Sequence, residues 1–198
     1  EFGHAPGWAE PGKVVAALKS IGVDMVFDTC FTADLTVVEE TAEFLDRLSS
    51  GSRERLPQFT SCCPAWVKYV EQYHPEYLPN LSSCKSPQQM FGSVARRFLS
   101  RELGIEPESL YVVSVMPCTA KKFEASRTEF AADGRPDVDA VLATQELARM
   151  SRETGVDFDK LPIAPFDLPL GVSTGAGMIF GNSGGVAEAV LRAAAELL

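Results

Sequence analysis

Five cysteines are spread through 198 residues, at positions 30, 62, 63, 84 and 118. Three of them fall in two stretches equipped for chemistry: Thr60-Ser61-Cys62-Cys63-Pro64-Ala65-Trp66 and Met116-Pro117-Cys118-Thr119-Ala120-Lys121-Lys122-Phe123-Glu124. Pro64 suits the first position of a helix, where its missing N–H costs nothing. Cys63 then stands at the helix start, where the positive end of the dipole favours a thiolate, the form that ligates metal or attacks carbon. Vicinal cysteines point their side chains apart. One of the pair can therefore hold a metal while the other handles protons. Cys118 follows a continuous β-branched run and precedes Lys121 and Lys122, and a lysine beside a metal can hydrogen-bond an anionic ligand.

Other chemistries fit less well. A zinc site wants C-x-x-C or Cys/His pairs, and the chain has neither, with only His4 and His74 as histidines. A cysteine hydrolase needs a histidine base, but His74, beside Pro75 at a helix end, reads as structural. The glycine stretch from Ser173 to Gly185 lacks the lysine of a phosphate loop and misses the dinucleotide spacing. Its glycines instead admit backbone close to a bulky ligand. An odd cysteine count without regular spacing argues against a disulfide framework and for a reducing, cytoplasmic setting. Cys30 and Cys84 read as small buried apolar residues. The formal net charge of −9 repels phosphate backbones, so nucleic acid is excluded as a partner. No apolar run reaches the roughly twenty residues of a membrane span. There is no signal peptide and no initiating Met, and the last residues lie in a helical pattern without a cap. Both ends read as cuts, making residues 1–198 part of one domain.

The elements that must position these loops follow from periodicity and punctuation. Helices are expected over Pro11–Ser20, from Asp34 or Thr36 to about Leu48, from Pro64 to the break at His74-Pro75, from the Ser86 cap to about Leu103 before Gly104, over Gln145–Glu153, and from Val186. Strands are expected over Val23–Phe27, Leu56–Thr60, Leu110–Val115 and Val138–Ala143. Polar or turn-rich loops fill Ser49–Arg55 and Asp133–Asp137, and Leu161–Leu170, with its three prolines, is extended. Alternating strands and helices predict an α/β fold: a mostly parallel sheet, helices on both faces, and the cysteine loops at the C-terminal strand edge. A doubly wound nucleotide-binding domain is the plainer reading of the same pattern.

The two cysteine stretches closely resemble the first two signature motifs of the iron-only (FeFe) hydrogenases. Phe27-Asp28-Thr29, Ala33-Asp34-Leu35-Thr36 with Glu39-Glu40, Leu81 to Met90, and the glycine stretch resemble the same family's catalytic domain. The resemblance implies a 4Fe–4S cluster joined through a cysteine to a di-iron subcluster carrying CO, cyanide and a bridging dithiolate. Of the four cysteines that hold it in the family, Cys63 and Cys118 match two. Cys62 matches the cysteine that passes protons to the bridging amine. Ser82, Glu40 and Glu43 match the next members of that path, which leads out to Arg47. Lys121 matches the residue that hydrogen-bonds a cyanide. Gln88, Met116 and Phe180 match residues lining the di-iron pocket, and Glu124 a carboxylate beside it. The motif that supplies the family's other two cysteines has no match here.

What the resemblance implies for function is reversible reduction of protons to hydrogen, with electrons from ferredoxin or an NAD(P)H-linked electron-transfer subunit, after loading by hydrogenase maturation proteins. The isolated chain is expected to be inactive. Two alternatives share the family: a non-catalytic relative that serves iron–sulfur protein assembly, and a hydrogen sensor. Assembly relatives typically lose the proton-passing cysteine and the Thr-Ala-Lys-Lys-Phe-Glu run, and both are present here. On the residues alone, Glu40 and Glu43, three apart on a helix, read as an exposed face.

Overall fold

A computed structural model describes the chain except for Glu1, Pro6, Gly7, Ala9, Ser52 and Asp133. The expected loops at 49–55 and 133–137 thus lie partly outside the described residues. Helix α1 (Pro11–Ser20) begins on its proline and buries Val15, Ala16, Ala17 and Leu18. Helix α2 (Cys30–Ser49) starts earlier than its sequence suggests. Thr36 does not cap it but bonds back to the Thr32 carbonyl at 2.9 Å, as an interior residue does. Asp34 is engaged elsewhere, and Asp28 instead accepts the Cys30 N–H at 2.9 Å.

Helix α3 (Pro64–Tyr73) runs to His74, and a 3₁₀ turn over Pro75–Asn80 follows. Helix α4 (Pro87–Val94) is capped by Ser86, whose oxygen accepts from Gln89. It continues through one π-helical segment (Ala95–Leu99) into α5 (Ser100–Leu103), which stops at Gly104 in the left-handed conformation (φ 66°). After β1 (Val113–Met116) come α6 (Ala120–Ala125) and a short antiparallel pair, β2 (Ala131–Ala132) with β3 (Arg135–Pro136). Then come β4 (Ala140–Ala143), α7 (Thr144–Glu153) and α8 (Gly185–Leu197).

Strands β1 and β4 are parallel, with Val113 opposite Ala140 and Met116 opposite Ala143. Successive strand residues face opposite sides, and each side has its own core. Val141 packs with Ala95, Leu99, Val112, Val138 and Leu170. Val115 packs on the other side with Val15, Leu18, Val26 and Leu147. Helices therefore cover both faces, as the α/β expectation requires.

The parallel sheet is smaller than the sequence pattern suggests. Val23–Phe27 is extended but joins no ladder; Val26 exchanges bonds with the backbone and side chain of Asp167, at 2.8 and 2.7 Å. Its neighbour Leu161–Leu170 carries three prolines, which cannot donate to a ladder. Leu56–Thr60 makes a single parallel bridge, Phe59 with Leu81. The glycine stretch forms a 3₁₀ turn (Ala176–Gly181) seated on α2. A Cβ on Gly177 would stand 2.9 Å from the Ala33 Cβ and 3.0 Å from the Cys30 carbonyl, so close approach to a helix is one demand that this glycine meets. Asp34 holds the turn by accepting the N–H groups of Thr174 and Gly177. Among the described residues, no helix is long and apolar enough to cross a membrane.

Candidate active site

The bridge between Phe59 and Leu81 sets the first loop. Phe59 N–H donates to the Asn80 carbonyl and Ser82 N–H to the Phe59 carbonyl, both at 2.8 Å. That places Ser82 beside the strand-like run leading to Cys62. Cys63 follows at the N-terminus of α3 with an exposed thiol, and Cys118 leaves the end of β1, also exposed. Helices α3 and α6 pack together, which sets their leading loops side by side. Lys121 joins the two: its Nζ donates to the Cys62 carbonyl at 2.7 Å and to Glu124 Oε2 at 3.0 Å. An ammonium has three donors, so these bonds leave one for a further acceptor. Lys122 instead pairs at the surface with Glu146 (2.6 Å).

Behind Lys121 lies a closed polar network. Glu124 is 3 % exposed, and its Oε2 also accepts from Ser86 Oγ (2.8 Å) and Gln88 Nε2 (3.1 Å). Gln88 reaches the Lys121 carbonyl at 3.2 Å and accepts from Ser114 Oγ at 2.8 Å. Ser86 thus caps a helix and fixes a carboxylate with one hydroxyl. The cap is legible in sequence, whereas the second bond spans 38 residues and has no local signal. Ser114 is a further member with no sequence signal. Met116 ends β1, half-buried. Phe180 lies on the 3₁₀ turn that packs against α2.

On the other side of Cys62, Glu40 and Glu43 are not an exposed face. Glu40 is 1 % exposed, and among the described residues its Oε1 has no partner. Burial, then the nearby Glu43 charge, push its carboxyl up to about 7, against weaker opposition from Ser82 and Arg47. For Glu43 burial pulls upward too, but hydrogen bonds from Ser82, the Ser83 N–H and Arg47 outweigh it and hold the pKa below the usual range. Ser82 Oγ donates to Glu43 Oε2 at 2.6 Å and accepts the Cys84 N–H at 3.1 Å. A hydroxyl has one proton and two lone pairs, so Ser82 still has a lone pair to accept a proton from Glu40. Beyond Glu43, Arg47 Nη2 bonds its Oε1 at 2.7 Å, and three backbone carbonyls fix the guanidinium. Arg47 is itself 1 % exposed. Burial pushes the Cys62 thiol up to about 11, with Lys121 opposing and Glu40 adding to the rise. Cys62 therefore holds its proton at neutral pH.

Cys30 and Cys84 are half-buried rather than fully enclosed. Cys84 lies 3.8 Å from Glu43 Oε2, and Cys30 lies 4.0 Å from the Met178 sulfur. Neither joins Cys63 and Cys118. Among the described residues no group of three or more His, Cys, Asp or Glu side chains could hold a metal ion. The two exposed thiols fit one half of a four-cysteine ligand set. The lysine between their loops fits an anionic ligand there.

All 198 residues match the family model described as iron only hydrogenase large subunit, C-terminal domain. An NADP-reducing hydrogenase subunit, HndD, of Solidesulfovibrio fructosivorans is 53% identical over 201 residues, covering 100% of this chain and 34% of that protein. Cytosolic iron-sulfur assembly component 3 of Mus musculus is 40% identical over 194 residues, covering 94% of this chain and 41% of that protein. The solved structure of an FeFe-hydrogenase HydA1 variant from Chlamydomonas reinhardtii superposes with a TM-score of 0.85 at 43% identity, covering 97% of this chain and 48% of that one. The chain thus spans 34% to 48% of the length of these three proteins.

Proposed function

This chain belongs to the iron-only hydrogenase large-subunit family, and from that premise we propose that it forms the proton-handling half of an FeFe-hydrogenase active site. Cys63 and Cys118 would hold the 4Fe–4S part of the iron centre, with the remaining ligands supplied by sequence outside this chain. Lys121 would offer its third N–H to a cyanide of a di-iron part that carries CO and a bridging dithiolate. Gln88, Met116 and Phe180 would line that part, and Glu124 fixes Lys121 and Gln88 beside it. When bound, the iron centre supplies the electrons for the reversible conversion of two protons to hydrogen.

The observation that carries this reading is the bonded run from Ser82 through Glu43 to Arg47, with the buried Glu40 near enough to raise the Cys62 thiol. A relay works when each group lies within reach of the next and their proton affinities are graded. Glu43 is kept ionised by Arg47, Ser82 and Ser83, so it takes a proton from solvent only transiently. Ser82 donates to Glu43 and can accept from Glu40. Glu40, poised near neutrality, can hold or release a proton at working pH. Cys62 keeps a proton on sulfur and presents it at the end of the line. No such function attaches to carboxylates on an exposed face.

Electrons would come from ferredoxin or an NAD(P)H-linked subunit, the second supported by the HndD relative, and maturation proteins would load the centre. Unpaired cysteines support a reducing compartment such as the cytoplasm. A second reading, iron–sulfur protein assembly, is favoured by the Mus musculus relative and opposed by the presence of Cys62 and the Ser82–Glu43–Arg47 bonds. The test is the complete, matured protein. We expect CO and cyanide infrared bands and hydrogen evolution from a reduced dye. Cys62→Ala should keep the bands and lose about 10²-fold or more of the turnover. Absence of turnover with the bands in place would sink the enzyme reading, and absence of the bands would favour assembly.

A further inference from the structure

The outer surface of α3 carries redox-active rings that proton handling does not use. Trp66 follows Cys63 by one helical turn and is half-buried. Its indole is stacked on the Tyr69 ring, with centroids 6.0 Å apart and planes 21° apart, and meets Phe59 edge-on at 5.9 Å. Tyr69 is 46 % exposed, so the stack runs from beside the cysteine loop to the surface. Its hydroxyl lies 3.2 Å from His74 Nε2, and His74 Nδ1 lies 3.3 Å from Glu76 Oε1. An ionised carboxylate can only accept. Nδ1 therefore carries the imidazole proton, and Nε2 is left as the acceptor for the phenol. Among the described residues, the hydroxyls of Tyr73 and Tyr77 have no such base. Tyr73 tilts against Tyr69 at 5.2 Å, and Tyr77 tilts against His74 at 6.1 Å and meets Phe59 edge-on at 5.9 Å.

This order has a chemical meaning. Indole and phenol are readily oxidised by one electron. An oxidised phenol is a strong acid, so the electron leaves easily only where a base stands ready for the proton. The geometry points to Trp66, Tyr69 and His74 as a proton-coupled electron relay that carries oxidising equivalents from the Cys62–Cys63 loop to the surface. A diffusible oxidising radical at the loop, such as the carbonate radical anion, takes an electron from Trp66 and leaves as carbonate, and the indole radical cation takes one from Tyr69. The Tyr69 O–H bond breaks, its proton goes to His74 Nε2, and the imidazolium is paired with Glu76. A one-electron reductant in solution, such as a thiol or ascorbate, restores the phenol, which takes the proton back. The role as protection for an iron loop rests on the function proposed above. The relay itself rests only on the rings and their bonds.

The test needs no iron centre, so its failure is distinguishable from failure of the hydrogenase reading. The complete chain is oxidised with photogenerated tris(bipyridine)ruthenium(III), and radicals are followed by transient absorption and electron paramagnetic resonance. The expected result is an indole radical that decays into a tyrosyl radical, with a solvent isotope effect on the second step. Tyr69→Phe, which keeps the ring stack, should trap the indole radical. His74→Phe should slow tyrosyl formation by about 10²-fold, the low end of what a positioned base contributes. Tyr73→Phe should change neither step. The proposal is overturned if His74→Phe leaves the rate and isotope effect unaltered, or if Tyr73→Phe rather than Tyr69→Phe removes the tyrosyl signal.

Discussion

Glu40 shows most directly how burial converts an ordinary side chain into a functional one. Its folded pKa is about 7 against a reference of 4.5, because burial and the Glu43 charge outweigh Ser82 and Arg47. The sign of the stability effect follows. Below the unfolded value both states are protonated and Glu40 contributes nothing. As pH rises from 4.5 to 7, the unfolded chain releases a proton that the folded chain keeps, so stability falls. The full loss, above pH 7, is on the order of 3 kcal/mol. Glu40→Gln removes this term. Urea unfolding should find the variant more stable than the parent at pH 8, with the gap closing towards pH 4, and a gap of equal size at both would contradict the assignment. Little of this was legible in sequence. Residues 40 and 43 are three apart on a helix, and the same spacing serves a solvated face equally well. What buries them is the pairing of Phe59 with Leu81, which brings Ser82 over α2, a contact across 39 residues.

Helix α4 shows what an element must satisfy to carry the site. Its start was readable, since Ser86, Pro87 and Gln89 form a cap and first turn by local chemistry alone. Its seating was not. Gly92 faces the backbone before β4 so closely that a Cβ would stand 2.2 Å from the Asp137 carbonyl oxygen. Asp137 cannot yield easily: it is 2 % exposed and is held by Lys85 at 2.6 Å and Ser93 at 2.9 Å. Gly92→Ala therefore forces α4 away from the sheet that Gln88 meets through Ser114, at an expected cost of about 3 kcal/mol, the upper range for overpacking. A lowered urea midpoint checks this, and an unchanged midpoint would show that the helix slides without penalty. The expected strands at 23–27 and 56–60 failed at this scale too. Apolar runs give extended backbone, but a ladder needs partners with free N–H groups: the neighbour of 23–27 carries the prolines of 161–170, and 56–60 has its own Pro57 and meets its neighbour only at the bridge of Phe59 with Leu81.

At the scale of the whole molecule, the ligand count limits what this chain can do. Cys63 and Cys118 open from adjacent loops, and no group of three or more ligating side chains exists among the described residues. Reconstitution of the 198-residue chain with iron and sulfide should give at most a labile cluster that a chelator strips. A stable 4Fe–4S signal at full occupancy would require ligands other than the two proposed. The sequence by itself determined the two cysteine motifs, the family, the helix starts at Pro11, Pro64 and Ser86, and the parallel order of β1 and β4. These depend on residue identity, caps and periodicity, which act over a few positions. Only the tertiary structure decided that Glu40 and Arg47 are buried, that Ser82 bridges towards Glu43, that Lys121 ties the Cys62 carbonyl to Glu124, and that Tyr69 meets an oriented His74. Proton affinity depends on solvent exclusion and on charges within a few ångströms. Those are properties of residues brought together by folding, and spacing along the chain does not encode them.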